Sequence, residues 1–419
     1  MNTSLTPSAY NAELTIPPSK SYMQRAVAIA ALADGKTTIF NPDFSNDSRA
    51  GLGVARALGC EVAEYNDRVE IMRTSQTVAD TVNVGEAGLG LRLYTPICSL
   101  LRSGITITGG GTLLKRPVDE MVAPLQQLGV TATLTDHCAP VHTTGILQGG
   151  EATVDAGKSS QFLSGLLIAL PKASKSSHLV LSAINSRPYV EMTIEIAKQF
   201  GGEIYNFDFK EIYIKPIAHY EGCTYYVEGD WSSAAAHIAA GAIGGKAVVN
   251  GLNCNSLQAD KAIIEVLRNC GANMEIDGST IITHKTRNLQ AFEFDATDAP
   301  DLFPVLAALA ANCEGTSEII GTQRLIHKES NRAQSIAEEF GKMGINVDID
   351  TYDNIMLIHG GAIHGGVTVS AHHDHRMAMA LAVMSLNADA PITIEDAESV
   401  AKSYPDFWKD WNNALSKNV

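Results

Sequence analysis

The stretch Ala26–Phe40, AVAIAALADGKTTIF, decides the fold together with Gly51–Tyr65 (GLGVARALGCEVAEY) and Asp67–Arg73 (DRVEIMR), because the chain repeats this series. The first piece is apolar nearly all round, as a buried helix requires, and breaks at Gly35 into a short β-branched strand. The second carries apolar residues at i, i+3, i+4 and i+7, the stripe of a half-exposed helix, and ends at Gly59 before another strand. Leu93–Gly109 with Met121–Leu134 repeats the order, as does Gln161–Ser182 with Thr193–Phe207 and Glu211–Lys215. Ala234–Gly251 with Ala262–Ile276 and Ser279–His284 is a fourth copy, and Leu302–Gly321 with Ser335–Ile349 and Asn354–His359 a fifth. A sixth, truncated copy, Met377–Asp396, closes with Phe407–Leu415. The first helices are expected near Arg25, Arg92, Ser160, Ser233, Asp301 and Arg376, a spacing of about 70 residues. Strands inside each copy argue against an α-solenoid. Six units divide into two domains of three, with the glycine-bearing Val227–Asp230 as the crossing.

Composition narrows the function. The 419 residues are 45% hydrophobic and 18% charged, ordinary for a globular chain and excluding a disordered or fibrous one. The formal charge, 31 − 46 = −15, has the wrong sign for non-specific binding to nucleic acid or an anionic membrane. A small anion could still be held by a local cluster of cations. The seven cysteines (60, 98, 138, 223, 254, 270 and 313) are scattered without a C-x-x-C pair, which fits a reducing compartment. Met1–Ala12 lacks the apolar core of a signal peptide, and no apolar run approaches the ~18–20 residues of a spanning helix. A soluble, cytoplasmic protein is expected.

Several predicted buried helices open with residues that structure alone does not call for. Lys20 and Arg25 start the first, and His375-Arg376 the last, where cations oppose the helix dipole. A bound anion would resolve both conflicts. Ser159-Ser160-Gln161 and Asp301 read either as ordinary N-caps or as functional groups. Lys328 and Arg332 are spaced i,i+4 on a predicted helix, where like charges repel unless Glu329 or an anion lies between them. Arg116, held extended by Pro117, reads as one more exposed cation. The tract His372-His373-Asp374-His375 does not fit a closed zinc site, and the loop Gly85–Gly90 matches no standard phosphate loop. Ser399-Val400-Ala401-Lys402 has the S-x-x-K form without its companion motifs.

In this order the motifs PSKSYMQRA (18–26), GEAGLGLR (85–92), LKRPVD (114–119), KSSQFLSGLL (158–167), NSRPYVEMT (185–193), VEGDWSSAA (227–235), DAPDLFPVLA (298–307), HKESNRA (327–333), DHRMAMALAV (374–383) and AKSYPDF (401–407) give the chain its resemblance to the 5-enolpyruvylshikimate-3-phosphate synthases, enolpyruvyl transferases, over roughly residues 13 to 412. The resemblance implies a two-domain inside-out α/β barrel of six βαβαββ units with buried parallel helices. The implied domains are 19–228, and 1–18 with 229–419, with the active site in the cleft between them. It implies transfer of the enolpyruvyl group of phosphoenolpyruvate to the 5-hydroxyl of shikimate 3-phosphate, by addition and elimination, with no metal or cofactor, in a monomer. By position, Lys20, Ser21, Arg25, Ser159, Ser160, Gln161, Ser186, Tyr189, Asp301 and Lys328 would hold shikimate 3-phosphate. Lys20, Gly88, Arg116, Gln161, Arg332, His375, Arg376 and Lys402 would hold phosphoenolpyruvate. Asp301 would take the hydroxyl proton, and Glu329, beside Lys20, would deliver and later remove the methyl proton.

The chain also departs from the family pattern. Glu86 and Leu89 replace Asn and Thr of the glycine loop, Pro18 replaces Gly, and Asn331 replaces Asp in the K-E-S-N-R motif. Glu86 is therefore expected to point away from the anion site or to pair with a cation. The segment Gln323–His327 is one residue longer than usual, so no site residue is carried onto 321–327. Two rivals are weighed. The sister reaction on UDP-N-acetylglucosamine uses a loop cysteine that GGGTLLKRP (109–117) lacks. A non-catalytic anion-binding homologue would not need both Asp301 and Glu329.

Overall fold

The computed structural model describes residues 1–75 and 77–415. Two compact units are formed, Pro18–Val227 and Met1–Pro17 with Glu228–Val419.

In the unit Pro18–Val227 the repeat is a sheet and two helices. Strand Thr81–Asn83 runs parallel to Ile105–Thr108, which pairs antiparallel with Cys138–Gly145 and through it with Val130–Thr135. Helix Gly88–Leu101 joins the parallel pair, and Val122–Gln127 leads into the hairpin, giving the order βαβαββ. Glu151–Ala156, Ser177–Ile184, Glu211–Lys215 and Glu203–Phe207 repeat the sheet around helices Gln161–Ala169 and Arg187–Gln199. The first copy supplies Lys36–Phe40, Arg68–Arg73 and Cys60–Glu64 but borrows its leading strand, Thr224–Tyr226, from the far end of the unit. A parallel strand cannot be reached by a tight turn, so the chain closes the ring with its last segment.

The second unit closes the same way from the other terminus. Tyr10–Thr15 runs parallel to Gly245–Asn250, which continues through Thr280–His284 to Asn273–Asp277. Glu293–Asp295, Thr316–Ile320, Ile355–His359 and Val347–Asp350 form the fifth sheet. The truncated sixth copy has only Thr368–Ser370 and Ile392–Glu395, and the N-terminal strand Thr3–Leu5 pairs antiparallel to complete it. Tyr10 also packs on Trp411 of helix Phe407–Ala414, with ring centroids 4.9 Å apart. Its hydroxyl meets His237 Nδ1 at 2.5 Å. Burial pushes the His237 imidazole down to about 3, so it is neutral in the core.

Six helices are buried at the centres of these units. Every residue of Trp231–Gly244 and of Phe303–Ala311 is buried. Their alanines suit helices enclosed on all sides, because small side chains let neighbours approach. The outer helices keep one apolar stripe, as in Arg187–Gln199, where Val190, Thr193, Ile194 and Ala197 face inward.

The starts of the inner helices differ from the sequence expectation. Lys20–Ala30 and Gly88–Leu101 begin five and four residues early, at polar or glycine positions that apolar periodicity does not count. Gln24 and Arg25 are nevertheless buried. Phe303–Ala311 begins two residues late, after a turn holding Asp301. The K-E-S-N-R segment is not a helix start throughout, since the helix Arg332–Lys342 opens only at Arg332.

Candidate active site

In the unit Pro18–Val227 the polar groups collect where the inner helices begin. Lys20, the first residue of its helix, donates from Nζ to Asp47 Oδ2 at 2.9 Å. That carboxylate offsets the conflict of a lysine with the helix dipole. Arg25, one turn further, is 1% exposed. Its Nε donates to Thr193 Oγ1 at 2.8 Å, Nη1 to the Ser21 carbonyl at 3.0 Å and Nη2 to Ser164 Oγ at 3.4 Å. The Tyr189 ring lies 5.8 Å from the guanidinium carbon. Burial, opposed by the neighbouring tyrosines, pulls Arg25 down to about 10, so it stays charged at neutral pH. Among the described residues, none of its hydrogen-bond partners is a carboxylate. A buried cation held only by neutral groups keeps its charge for an incoming anion.

Ser160 is the N-cap of helix Gln161–Ala169 but makes no side-chain cap bond; the hydroxyl of Ser159 before it accepts from the Gln161 amide at 3.3 Å. Ser160 is buried and donates to the Ser186 carbonyl at 3.5 Å. Ser186 has φ of +56°, a left-handed conformation that costs a non-glycine residue free energy and is common at functional turns. Tyr189 and Thr193 follow on the next helix. Ser21, Arg25, Ser160, Ser186 and Tyr189 are thereby tied into one corner. Arg116 forms another. It is extended before Pro117 as expected, with φ −97° and ψ 117°, but it is buried rather than exposed. Its guanidinium lies over Gly88, where a Cβ would stand 2.5 Å from Nη1. Only glycine admits that contact. Glu86 turns its carboxylate against Gly111, at φ +55° and equally without room for a side chain.

The second unit is built on carboxylates. Arg332, fully buried, directs all five of its N–H groups to the protein. Nε donates to Asp374 Oδ2 at 2.8 Å, and Nη2 to Asp374 Oδ1 at 3.3 Å and Glu329 Oε2 at 2.9 Å. Nη1 donates to Asp301 Oδ1 at 2.7 Å and to the Pro300 carbonyl at 3.2 Å. Lys328 Nζ reaches the same Asp301 oxygen at 3.4 Å. Lys328 and Arg332 thus converge on one acceptor from a loop and a helix start. The i,i+4 repulsion expected of a continuous helix does not apply. Asn331 caps the helix, accepting from the Gln334 amide at 3.4 Å. That explains how Asn serves where the family has Asp.

Partial burial alone would raise the Asp301 carboxyl, but Lys328, Arg332 and Arg376 outweigh it and hold the group well below its usual value. Burial pulls Lys328 down to about 8. Arg332 is pushed well above its usual value, because Asp374, Asp301 and Glu329 outweigh the effect of burial. Arg376 is 2% exposed; among the described residues its Nε has no hydrogen-bond partner and its Nη1 reaches Met379 Sδ at 3.9 Å. Asp374 accepts from the Arg376 amide at 2.9 Å, relieving the dipole conflict at the start of helix His375–Ser385. Lys402 Nζ donates to the His373 carbonyl at 2.9 Å. The histidines of the 372–375 tract reach different carboxylates. His372 meets Glu339 at 2.7 Å, His373 meets Asp396 at 3.4 Å, and His375 lies 3.8 Å from Asp374.

Three contributors were missed in the sequence. Asp374 bridges Arg332 and helix His375–Ser385, and its signal is an Asp at the cap position of an apolar helix. Asp260 accepts from Ser232, has Oδ1 buried without a partner, and is pushed up to about 7 by burial and then by Asp301. Nothing in its local sequence marks it. Arg324 is buried within the segment 321–327, donates to the Thr297 carbonyl at 3.2 Å, and is pulled down by burial against Asp298 and Asp301.

Residues 5–411 match the model of the EPSP synthase (3-phosphoshikimate 1-carboxyvinyltransferase) family. The chain is 35% identical to the 3-phosphoshikimate 1-carboxyvinyltransferase of Clostridium novyi (strain NT), over 98% of this chain and 96% of that one. It is 38% identical to the enzyme of that name from Methanosphaerula palustris, over 96% and 95%. The solved EPSP synthase of Acinetobacter baumannii superposes with a TM-score of 0.80 at 27% identity, covering 99% of this chain and 98% of that one.

Proposed function

We infer the residue roles from one premise: the chain belongs to the EPSP synthase family. It transfers the enolpyruvyl group of phosphoenolpyruvate to the 5-hydroxyl of shikimate 3-phosphate and releases phosphate, a step of aromatic amino-acid biosynthesis. Among the described residues no helix is long and apolar enough to cross a membrane. We propose that it works as a monomer in the cytoplasm.

The observation that carries the roles is Arg332, whose two terminal nitrogens hold Asp301 at 2.7 Å and Glu329 at 2.9 Å. One guanidinium thus presents both candidate proton-transfer carboxylates side by side. Asp301, held ionised, takes the proton of the 5-hydroxyl as its oxygen attacks C2 of phosphoenolpyruvate. Glu329, protonated at the start of the cycle, delivers its proton to the methylene carbon, and a tetrahedral ketal forms. Glu329 then removes a proton from the new methyl group, the C–O bond to phosphate breaks, and the double bond returns. The proton held by Asp301 leaves with phosphate or solvent.

Arg25, with Ser21, Ser159, Ser160, Gln161, Ser186, Tyr189 and Lys328, would bind shikimate 3-phosphate. Arg116 over Gly88, with Lys20, Gln161, Arg332, His375, Arg376 and Lys402, would bind phosphoenolpyruvate and stabilise the charge that develops on it. Because the donors of Arg332 are all engaged and Asp374 is fully buried, a substrate carboxylate reaches Arg332 by displacing Asp301 or Glu329. The exchange frees a carboxylate for proton transfer when the substrate is in place. The test is phosphate release from purified protein given phosphoenolpyruvate and shikimate 3-phosphate, with UDP-N-acetylglucosamine in a parallel reaction. Release only with shikimate 3-phosphate is expected. Asp301→Asn should abolish turnover while leaving shikimate 3-phosphate binding measurable, and turnover that survives overturns the assigned base.

A further inference from the structure

Two turns along the helix Arg332–Lys342, on the face that carries Arg332, lies Glu339. Its side chain is fully buried and fully engaged. Oε1 meets His372 Nε2 at 2.7 Å, Oε2 accepts from the Ser370 amide at 3.0 Å, and both oxygens accept from Lys342 Nζ at 2.9 Å. The segment it grips is strained. His372 and His373 are consecutive non-glycine residues at φ +51° and +55°. Such a conformation persists where its surroundings over-determine it. The turn feeds Asp374 and Arg376 at the start of the next helix, and the His373 carbonyl holds Lys402. The same turn is pinned from a second side, where Ser370 Oγ donates to Asp396 Oδ2 at 3.3 Å and His373 meets Asp396. No group in this clamp is assigned to substrate.

We propose that Glu339 and His372 are positioning residues for phosphoenolpyruvate: by locking the turn 370–373 onto the helix of Arg332, they fix Arg376 and Lys402 relative to Arg332. The inference rests on the reading that these three cations hold that substrate. Two clamps then join the same pair of elements. Asp374 is the inner one, in contact with Arg332, and Glu339–His372 is the outer one. The outer clamp is sensitive to pH. The hydrogen bond to Glu339 raises His372 above its ordinary value, and burial opposes that shift. Glu338 also favours the charged form and Lys342 disfavours it, while Asp396 faces the turn through Ser370 and His373. The charged pair is complete below the ordinary histidine value and weakens as pH rises through the raised one. A neutral imidazole can still donate one hydrogen bond.

The experiment measures KM for each substrate and kcat across pH for the wild type, His372→Ala and His372→Gln, with Arg376→Ala as a reference. His372→Ala should raise KM for phosphoenolpyruvate by about tenfold, a fraction of what a misplacement of ~1 Å can cost. KM for shikimate 3-phosphate and kcat should stay within about twofold. His372→Gln keeps a neutral donor, so its KM should match the wild type at high pH and lack the pH-dependent rise. Substrate ionisation is common to both proteins and cancels in the comparison. Equal rises in both KM values, a loss confined to kcat, or an unchanged KM in His372→Ala overturns the proposal. If His372→Ala does not fold, the profiles of wild type and His372→Gln decide, and superimposable curves overturn it. A wild type that releases no phosphate, or an Arg376→Ala variant with unaltered phosphoenolpyruvate KM, sinks the site reading itself and the clamp with it.

Discussion

The unit Pro18–Val227 and the unit built on Glu228–Val419 both bury an arginine at the start of an inner helix or beside one, and treat it in opposite ways. Arg25 meets two hydroxyls, a carbonyl and an aromatic ring. Arg332 meets three carboxylates and a carbonyl. Neutral partners fix the geometry of a cation and leave its charge for the ligand. Carboxylate partners cancel the charge locally but gain a proton acceptor held in place and kept ionised. The first arrangement suits recognition of a substrate phosphate. The second suits chemistry, because it can exchange a protein carboxylate for a substrate carboxylate.

The largest expected effect breaks this contrast if it fails to appear on one side only. Asp301→Asn or Glu329→Gln should lower turnover by about 10³-fold or more, within the range of a general acid or base, with shikimate 3-phosphate binding retained in a calorimetric titration. Asp47→Asn, which removes the carboxylate partner of Lys20, should cost less than about tenfold, since Asp47 carries no assigned proton. Equal losses would mean that the carboxylates on Arg332 do no more proton work than the one that holds Lys20. Next in size is Arg25→Ala. Loss of a charge-assisted contact should raise KM for shikimate 3-phosphate roughly tenfold to a hundredfold, with the KM for phosphoenolpyruvate little changed. A loss shared equally between the two substrates would remove Arg25 from the shikimate corner.

Gly88→Ala sharpens the comparison within the unit Pro18–Val227. The added methyl would stand 2.5 Å from Arg116 Nη1, the far end of a flexible side chain. The guanidinium should therefore move aside rather than the helix unfold. KM for phosphoenolpyruvate should rise about tenfold while Tm changes by less than about 2 °C. An unchanged KM would show that Arg116 is not held where phosphoenolpyruvate needs it.

How much of this was legible in the sequence follows from the same contrast. The repeat was legible because inner helices are apolar all round and outer ones striped, a pattern set by burial. The strand exchange that closes each ring was not, because Thr224–Tyr226 and Tyr10–Thr15 are ordinary short strands whose parallel partners, Lys36–Phe40 and Gly245–Asn250, lie far along the chain. Candidate site residues at helix starts stood out where a cation opposes a dipole, as at Lys20 and Arg376. The partners that offset those conflicts did not. Asp47 and Asp260 look like routine surface acids and Asp374 like an ordinary helix cap, and only tertiary packing buries them. Arg116 shows the reverse error, since a lone Arg-Pro pair reads as exposed until Gly88 is found beneath it.

The smallest expected effect separates the two units by pH. Burial pulls Lys328 down to about 8 despite the opposing pull of Asp301, while Arg25 is pulled down only to about 10. The charged form of each is the one that attracts an anion. As pH rises from 7 to 9, Lys328 loses its proton and Arg25 keeps most of its own. KM for shikimate 3-phosphate should therefore rise a few-fold over that interval, at a rate set by the charged fraction of Lys328. Lys328→Arg should remove the rise, because a guanidinium stays protonated, although its planar fork will not reproduce the 3.4 Å contact with Asp301 and kcat should fall modestly. A rise that survives Lys328→Arg would assign the limb to another group. A rise that instead moves to lower pH in Arg25→Lys, where an ammonium loses its proton more readily than a guanidinium, would reverse the comparison and make Arg25 the pH-sensitive group.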